Sequence, residues 1–207
     1  MRKRACWAKN RRAYLNMKRI FLLNGHPDPA PERYCAALLD SYAAGARRSG
    51  HEVRRLDLGA MDFPLVKSAA ESDKGEVARD AARVQDALLW ADHIVIVFPL
   101  WLDDQPALLR GLFEQVFRYR FVHVDCDKNK KALQGKTAHT IVTMGMGALA
   151  YHWQNGAHCV RALEKGLYGY AGIKPVRRTL IGSIHTIDEA ARKAWLAKIQ
   201  NAGAEGR

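Results

Sequence analysis

Nothing in these 207 residues approaches the uninterrupted apolar run of about 18 that a membrane-spanning helix requires, so no integral membrane segment is expected. Cysteine is scarce: Cys6, Cys35, Cys126 and Cys159 are scattered, and no Cys-x-x-Cys occurs. That spacing gives no disulfide framework and reads as free thiols in a reducing cytoplasm. No Gly-x-Gly-x-x-Gly follows the first apolar run, which removes the standard dinucleotide fingerprint. The absence of Gly-x-x-x-x-Gly-Lys-Ser/Thr removes the usual phosphoryl-transfer NTPases, and the absence of Gly-x-Ser-x-Gly argues against a hydrolase nucleophile elbow. His152, His158 and Cys159 are the nearest approach to metal-ligand spacing, and they do not make a zinc set, so no metal is expected. Internal repeats and a second domain are also missing.

Acidic residues are absent from the first 16 positions, which carry six of the 33 basic residues. Without them 27 basic residues face 21 acidic ones, a balance of +6 against +12 for the whole chain. A basic arm could bind RNA or anionic lipid, but basic termini are usually solvated. Residues 1–17 therefore read as an N-terminal extension, outside a domain of residues 18–207. No nucleic-acid partner is expected from the remaining charge, which is spread along the chain.

From Lys18 onward two hydrophobic periods alternate. Short apolar runs fall at 19–24, 51–58, 93–99, 137–145 and 175–184, and helical stripes at 31–48, 76–91, 105–118, part of 152–170 and 186–201. Pro31 suits a first helical position, residues 59–75 read as a surface loop, and Thr186 with Glu189 matches a capping box. Five β-α repeats imply a doubly wound parallel sheet with helices on both faces. Ligands of such sheets sit beyond the carboxyl ends of the strands, so the segments after the first, third and fourth runs are the places to search.

Three segments there stand out. Residues 24–35, "NGHPDPAPERYC", offer a tight turn at Gly25, His26 and Arg33 as anion donors, and an uncapped helix start suited to phosphate. Residues 97–113, "VFPLWLDDQPALLRGLF", place Leu100, Trp101 and Leu102 between two stiffening prolines, a loop built to cover something flat and apolar. Residues 143–159, "TMGMGALAYHWQNGAHC", bring two glycines, the Tyr151 phenol and the His158 imidazole near one strand end.

These three segments, with "FPLW…PALLRGLFEQVF" the most specific, resemble the NAD(P)H:quinone oxidoreductase family of the flavodoxin-like fold over about residues 18–185. The resemblance implies a five-stranded parallel sheet in order 2-1-3-4-5, a bound FMN (or FAD), NAD(P)H as co-substrate, a quinone or similar acceptor, and a cytoplasmic homodimer. It assigns His26, Ala30, Glu32 and Arg33 to the flavin phosphate loop, and Pro99, Leu100, Trp101 and Leu102 to the shelf under the isoalloxazine. Thr143, Met144, Gly145 and Met146 fall along the ring's other edge, Tyr151 near a flavin carbonyl, and Tyr151 and His158 in catalytic roles. Asp103 and Asp104 depart from the family pattern. Some relatives instead serve as regulatory subunits of glutathione-gated potassium-efflux systems, which is the alternative function.

Overall fold

The computed structural model describes residues 17–207; the expected basic extension, residues 1–17, lies outside the described residues except for Met17. Five apolar runs form the strands β1 (Arg19–Asn24), β2 (Glu52–Asp57), β3 (His93–Pro99), β4 (Thr137–Thr143) and β5 (Val176–Ile181). They pair in parallel throughout, in the order β2-β1-β3-β4-β5. All seven residues of β3 are buried, as a strand covered on both faces must be. The order reverses at β1: the chain steps outward to β2 and then crosses back to β3. That switch opens a crevice beyond the carboxyl ends of β1 and β3.

The helices between and after the strands are α1 (Tyr34–Arg48), α2 (Ala69–Lys74), α3 (Arg79–Trp90), α4 (Ala107–Val116), α5 (Tyr119–Val122), α6 (Ala148–Trp153), α7 (His158–Ala162) and α8 (Glu189–Glu205). After α7 the chain winds through a π-helical stretch, Leu163–Tyr168, into Gly169–Ala171. Alternate strand side chains supply two cores. Phe21, Leu23, Ile94, Ile96 and Phe98 face α3, α4 and α7. On the opposite face Ile20, Leu22, Val95 and Val97 pack under α1 and α8. Those two helices touch backbone to backbone. A Cβ on Gly45 would run into the Gln200 carbonyl oxygen, and one on Gly203 into that of Tyr42.

Several boundaries differ from the periodicity. α1 begins at Tyr34, with Arg33 rather than Ala30 in the cap position, so Pro31 lies in a turn ahead of the helix. Residues 59–75 are not all loop. Ser68 Oγ accepts from the Glu71 N–H (3.1 Å) and Glu71 Oε2 accepts from the Lys67 N–H (2.8 Å), which starts α2. The Thr186–Glu189 box does not form: Asp188 caps α8, accepting from the Ala191 N–H at 2.7 Å, and the helix runs on to Glu205.

At the amino end of the sheet, Tyr42 of α1 lies between two buried imidazoles, its ring centroid 6.4 Å from those of His93 and His139. His93 Nδ1 bonds the Thr137 hydroxyl (2.6 Å) and His139 Nε2 the Thr179 hydroxyl (2.8 Å). Burial pushes the pKa of His93 down to about 3 and that of His139 to about 4. Among the described residues no helix is long and apolar enough to cross a membrane.

Candidate active site

The site is assembled from loops that leave the carboxyl ends of β1, β3 and β4. After β1 the turn is braced from within: the His26 N–H donates to Asn24 Oδ1 (3.2 Å), the Asp28 N–H to His26 Nδ1 (3.0 Å) and the Ala30 N–H to Asp28 Oδ1 (2.9 Å). Because Nδ1 accepts, the neutral His26 ring carries its proton on Nε2 and can offer it outward. Burial lowers the pKa of His26, which keeps that neutral form at physiological pH. Arg33 is held by Asp28 (Nε–Oδ2 2.7 Å) and Glu32 is exposed. No side chain caps α1, so its first N–H groups are left for an anion.

The loop after β3 is a two-residue reverse turn. Trp101 and Asp104 exchange both backbone hydrogen bonds, 2.8 and 2.9 Å, and between them Leu102 and Asp103 both have positive φ, 50° and 64°. That turn normally takes Asn-Gly. A left-handed backbone at each residue costs about 1–2 kcal/mol, so the strain has to be held by the surrounding fold. Among the described residues, four of the five non-glycine positions with positive φ (Leu102, Asp103, Ala157 and Ser183) lie in segments beyond the carboxyl ends of β3, β4 and β5. Clustered strain of this kind marks functional regions. The turn throws Leu102 wholly into solvent (102% exposed) and half-exposes Trp101, whose ring meets that of His26 edge-on at 5.7 Å.

After β4 the backbone is tied to the end of β5: the Met144 N–H donates to Ile181 O, the Ser183 N–H to Met146 O and the Ile184 N–H to Met144 O. The N–H groups of Gly145 and Met146 have no partner among the described residues. A cavity of about 230 Å³ separates this loop from the β3 turn, lined by Leu100, Leu102, Asp103, Met144, Gly145, Met146 and Asn155. It has apolar walls with unpaired backbone donors at one edge, which fits a flat ring with a polar rim. The β1 turn, with its outward imidazole and open helix start, fits the phosphate of such a group.

The expected residues do not all converge there. Leu100, Leu102, Met144, Gly145 and Met146 line the cavity; Pro99 and Thr143 are buried at the strand ends. The Thr143 hydroxyl is occupied by the Cys35 thiol (3.5 Å), leaving its carbonyl to accept from the Leu100 N–H (2.8 Å). Tyr151 is fully buried in the core, and its hydroxyl has no partner. Burial, with the neighbouring Cys159 and Asp103 charges adding, pushes its pKa up to about 12, so it stays a phenol with a proton to donate. His158 is exposed and lines a second, larger cavity of about 530 Å³ between α4 and α7. Asp103 borders both cavities, a place that no sequence signal marks, since Leu-Asp is not a pair that announces a left-handed turn. Among the described residues no group of His, Cys, Asp and Glu is placed to hold a metal.

The chain has relatives among known proteins. It is 31% identical to an uncharacterised NAD(P)H oxidoreductase of Haemophilus influenzae over 73% of its own length and 77% of that protein. It is 25% identical to the rat NAD(P)H dehydrogenase [quinone] 1, covering 84% of this chain and 72% of that one. An FMN-dependent NADH-azoreductase of Bacillus anthracis, solved with FMN, superposes with a TM-score of 0.71 at 14% identity over 91% of this chain and 98% of the other, a likeness of fold. The Flavodoxin_2 model, described as the flavodoxin-like fold, matches residues 18–202, and the chain belongs to that family.

Proposed function

We propose that this protein is a flavin-dependent NAD(P)H oxidoreductase that reduces quinones or related electrophiles by two-electron transfer, with FMN as its flavin. The observation that carries the reading is the apolar cavity between the β3 turn and the β4 loop, edged by the free N–H groups of Gly145 and Met146 and lying beyond the carboxyl ends of β3 and β4, one strand over from the switch point. The names of the relatives favour an enzyme over an ancillary subunit of a potassium-efflux system.

A bound flavin would supply the ring that takes hydride from NAD(P)H and passes two electrons on. Leu100, Leu102, Met144 and Met146 would hold that ring and exclude water from it. His26, with the Ala30–Arg33 turn and the open start of α1, would hold the phosphate; Arg33 and Glu32 contribute charge at its rim. The orphaned Tyr151 hydroxyl, which lies buried behind the β4 loop and lines neither cavity, would have to come into reach of the ring to serve as the donor to its developing negative charge; a donor that finds its partner only there stabilises the transition state selectively. His158, exposed beside the neighbouring groove, would hold or release a proton at the acceptor. Exposed Trp101 and Leu102 on the β3 turn, with Leu149 and Trp153 on α6, support a homodimer whose second subunit covers them. The scattered cysteines suit a cytoplasmic location.

The decisive experiment is anaerobic. Protein reconstituted with FMN should show flavin bands that bleach on adding NADH or NADPH and return on adding menadione. Protein that retains neither FMN nor FAD after reconstitution would refute the reading.

A further inference from the structure

The larger cavity has a one-sided polar end. Its walls are Phe113 and Phe117 at α4 and Leu163, Leu167 and Tyr170 of the π-helical stretch and its continuation. Gly166 in that stretch has open space where a side chain would stand, so nothing blocks the groove there. Helical segments of this wider pitch recur at functional sites. At the end nearest the β3 turn stand Asp103, Asp104 and Gln105.

The buried polar atoms here that lack a partner are both acceptors. Gln105 is 6% exposed, and its Oε1 has no hydrogen-bond partner; neither does Asp103 Oδ1. Asp104 Oδ1 accepts the Gln105 N–H (2.7 Å). Among the described residues no cation pairs with Asp103 or Asp104. The groove's lining also includes Arg110, but its guanidinium is bound to Glu114 (3.3 Å), a second carboxylate of the same lining. The local field is negative: the Asp104 carboxylate, beside the Cys159 thiol, adds to burial in pushing that thiol up to about 12. Leaving buried acceptors unpaired is costly, and a ligand that brings donors recovers that cost.

We propose that this groove is the electron-acceptor site and that Asp103, with Asp104 and Gln105, selects flat aromatic acceptors bearing a cationic or N–H donor group over anionic ones. The inference rests on the oxidoreductase reading for the word acceptor, but the cation preference of the groove does not. Asp103 borders both cavities, so a substrate anchored at its carboxylate has its aromatic body along the phenylalanines and one edge against the flavin cavity. The strained Leu102–Asp103 turn is what brings the carboxylate to this boundary.

The test uses FMN-loaded full-length protein and two redox-inert probes, 2-naphthyltrimethylammonium and 2-naphthalenesulfonate, titrated by calorimetry. The cation should bind about tenfold more tightly than the sulfonate, the scale of one partly screened charge contact. The preference should fall to within about twofold in Asp103→Asn, and in the unmodified protein at 1 M salt, where screening is nearly complete. The salt arm stands even if the variant fails to fold. In parallel, naphthoquinones carrying a trimethylammonium or a sulfonate arm are compared as substrates, with neutral menadione as reference; the cationic quinone should gain through KM. Equal binding of the two probes overturns the inference, and if menadione is still reduced the oxidoreductase reading survives it. A salt-sensitive cation preference in a protein that reduces no quinone would instead leave the groove as a cation site and remove its role as an acceptor site.

Discussion

Acid should destabilise this protein well before its carboxylates titrate, because His93 and His139 are locked in neutral form. Their pKa values, about 3 and about 4 in the fold, compare with 6.5 for an unhindered imidazole. Below pH 6.5 the unfolded chain therefore binds protons at both positions while the folded chain does not, and stability falls as pH falls through the window from 6.5 toward 4. At pH 5 an unfolded histidine is about 97% protonated, so each residue withdraws roughly 2 kcal/mol relative to pH 7, and the pair about 4 kcal/mol. That is a large part of the roughly 5–15 kcal/mol typical of a domain. His26 and His51 are shifted the same way by burial and add to the effect. Asp28, Asp80 and Asp92 are held below the usual carboxylate range by their hydrogen-bond partners, so their contributions are lost at lower pH and do not blur the window. Urea unfolding at pH 7, 6 and 5 should show this slope, and the double variant His93→Gln/His139→Gln, though less stable at pH 7, should lose most of it. A stability that changes by less than about 1 kcal/mol from pH 7 to 5, against the roughly 4 expected, would refute the reasoning.

Gly45→Ala, which in an isolated helix stabilises, should here cost about 1–3 kcal/mol because the new methyl meets the Gln200 carbonyl, as thermal unfolding would register. Replacing Leu102-Asp103 by Asn-Gly should raise the melting temperature, through about 1–2 kcal/mol of released backbone strain, while weakening cation binding in the groove. Tyr151→Phe should leave the flavin-free protein as stable or up to about 1 kcal/mol more so, since the lost hydroxyl is unpaired. The same change should slow flavin reduction about a hundredfold in stopped flow. A chain beginning at Met17 should keep both its melting temperature and its flavin, because the described strands start at Arg19.

The sheet was legible because parallel strands buried on both faces have to be written as unbroken apolar runs, and "HIVIVFP" cannot be much else. Helix ends were harder. The Ser68-x-x-Glu71 box that starts α2 is as plain as the Thr186–Glu189 box that does not form; there Asp188 takes the cap and the Thr186 hydroxyl turns back to the Ser183 carbonyl. The β3 and β4 loops could be located from their glycines, prolines and misplaced apolar residues. The inward burial of Tyr151 and Thr143 could not, since which way a side chain turns at a strand end depends on packing from distant helices. Nor did composition reveal that Asp103 borders two cavities: that depends on a left-handed turn which the pair Leu-Asp does not advertise.

The contact between α1 and α8 also sets a schedule for synthesis. One face of the sheet carries Ile20, Leu22, Val95, Val97 and Ile141, and its cover is completed only when Ile199 and the notch at Gly203 have been made. A nascent chain emerging at about 5–20 residues per second therefore presents that apolar face, finished in every strand but half roofed, until α8 leaves the ribosome. The interval is one in which chaperones or a neighbouring nascent chain would find it open.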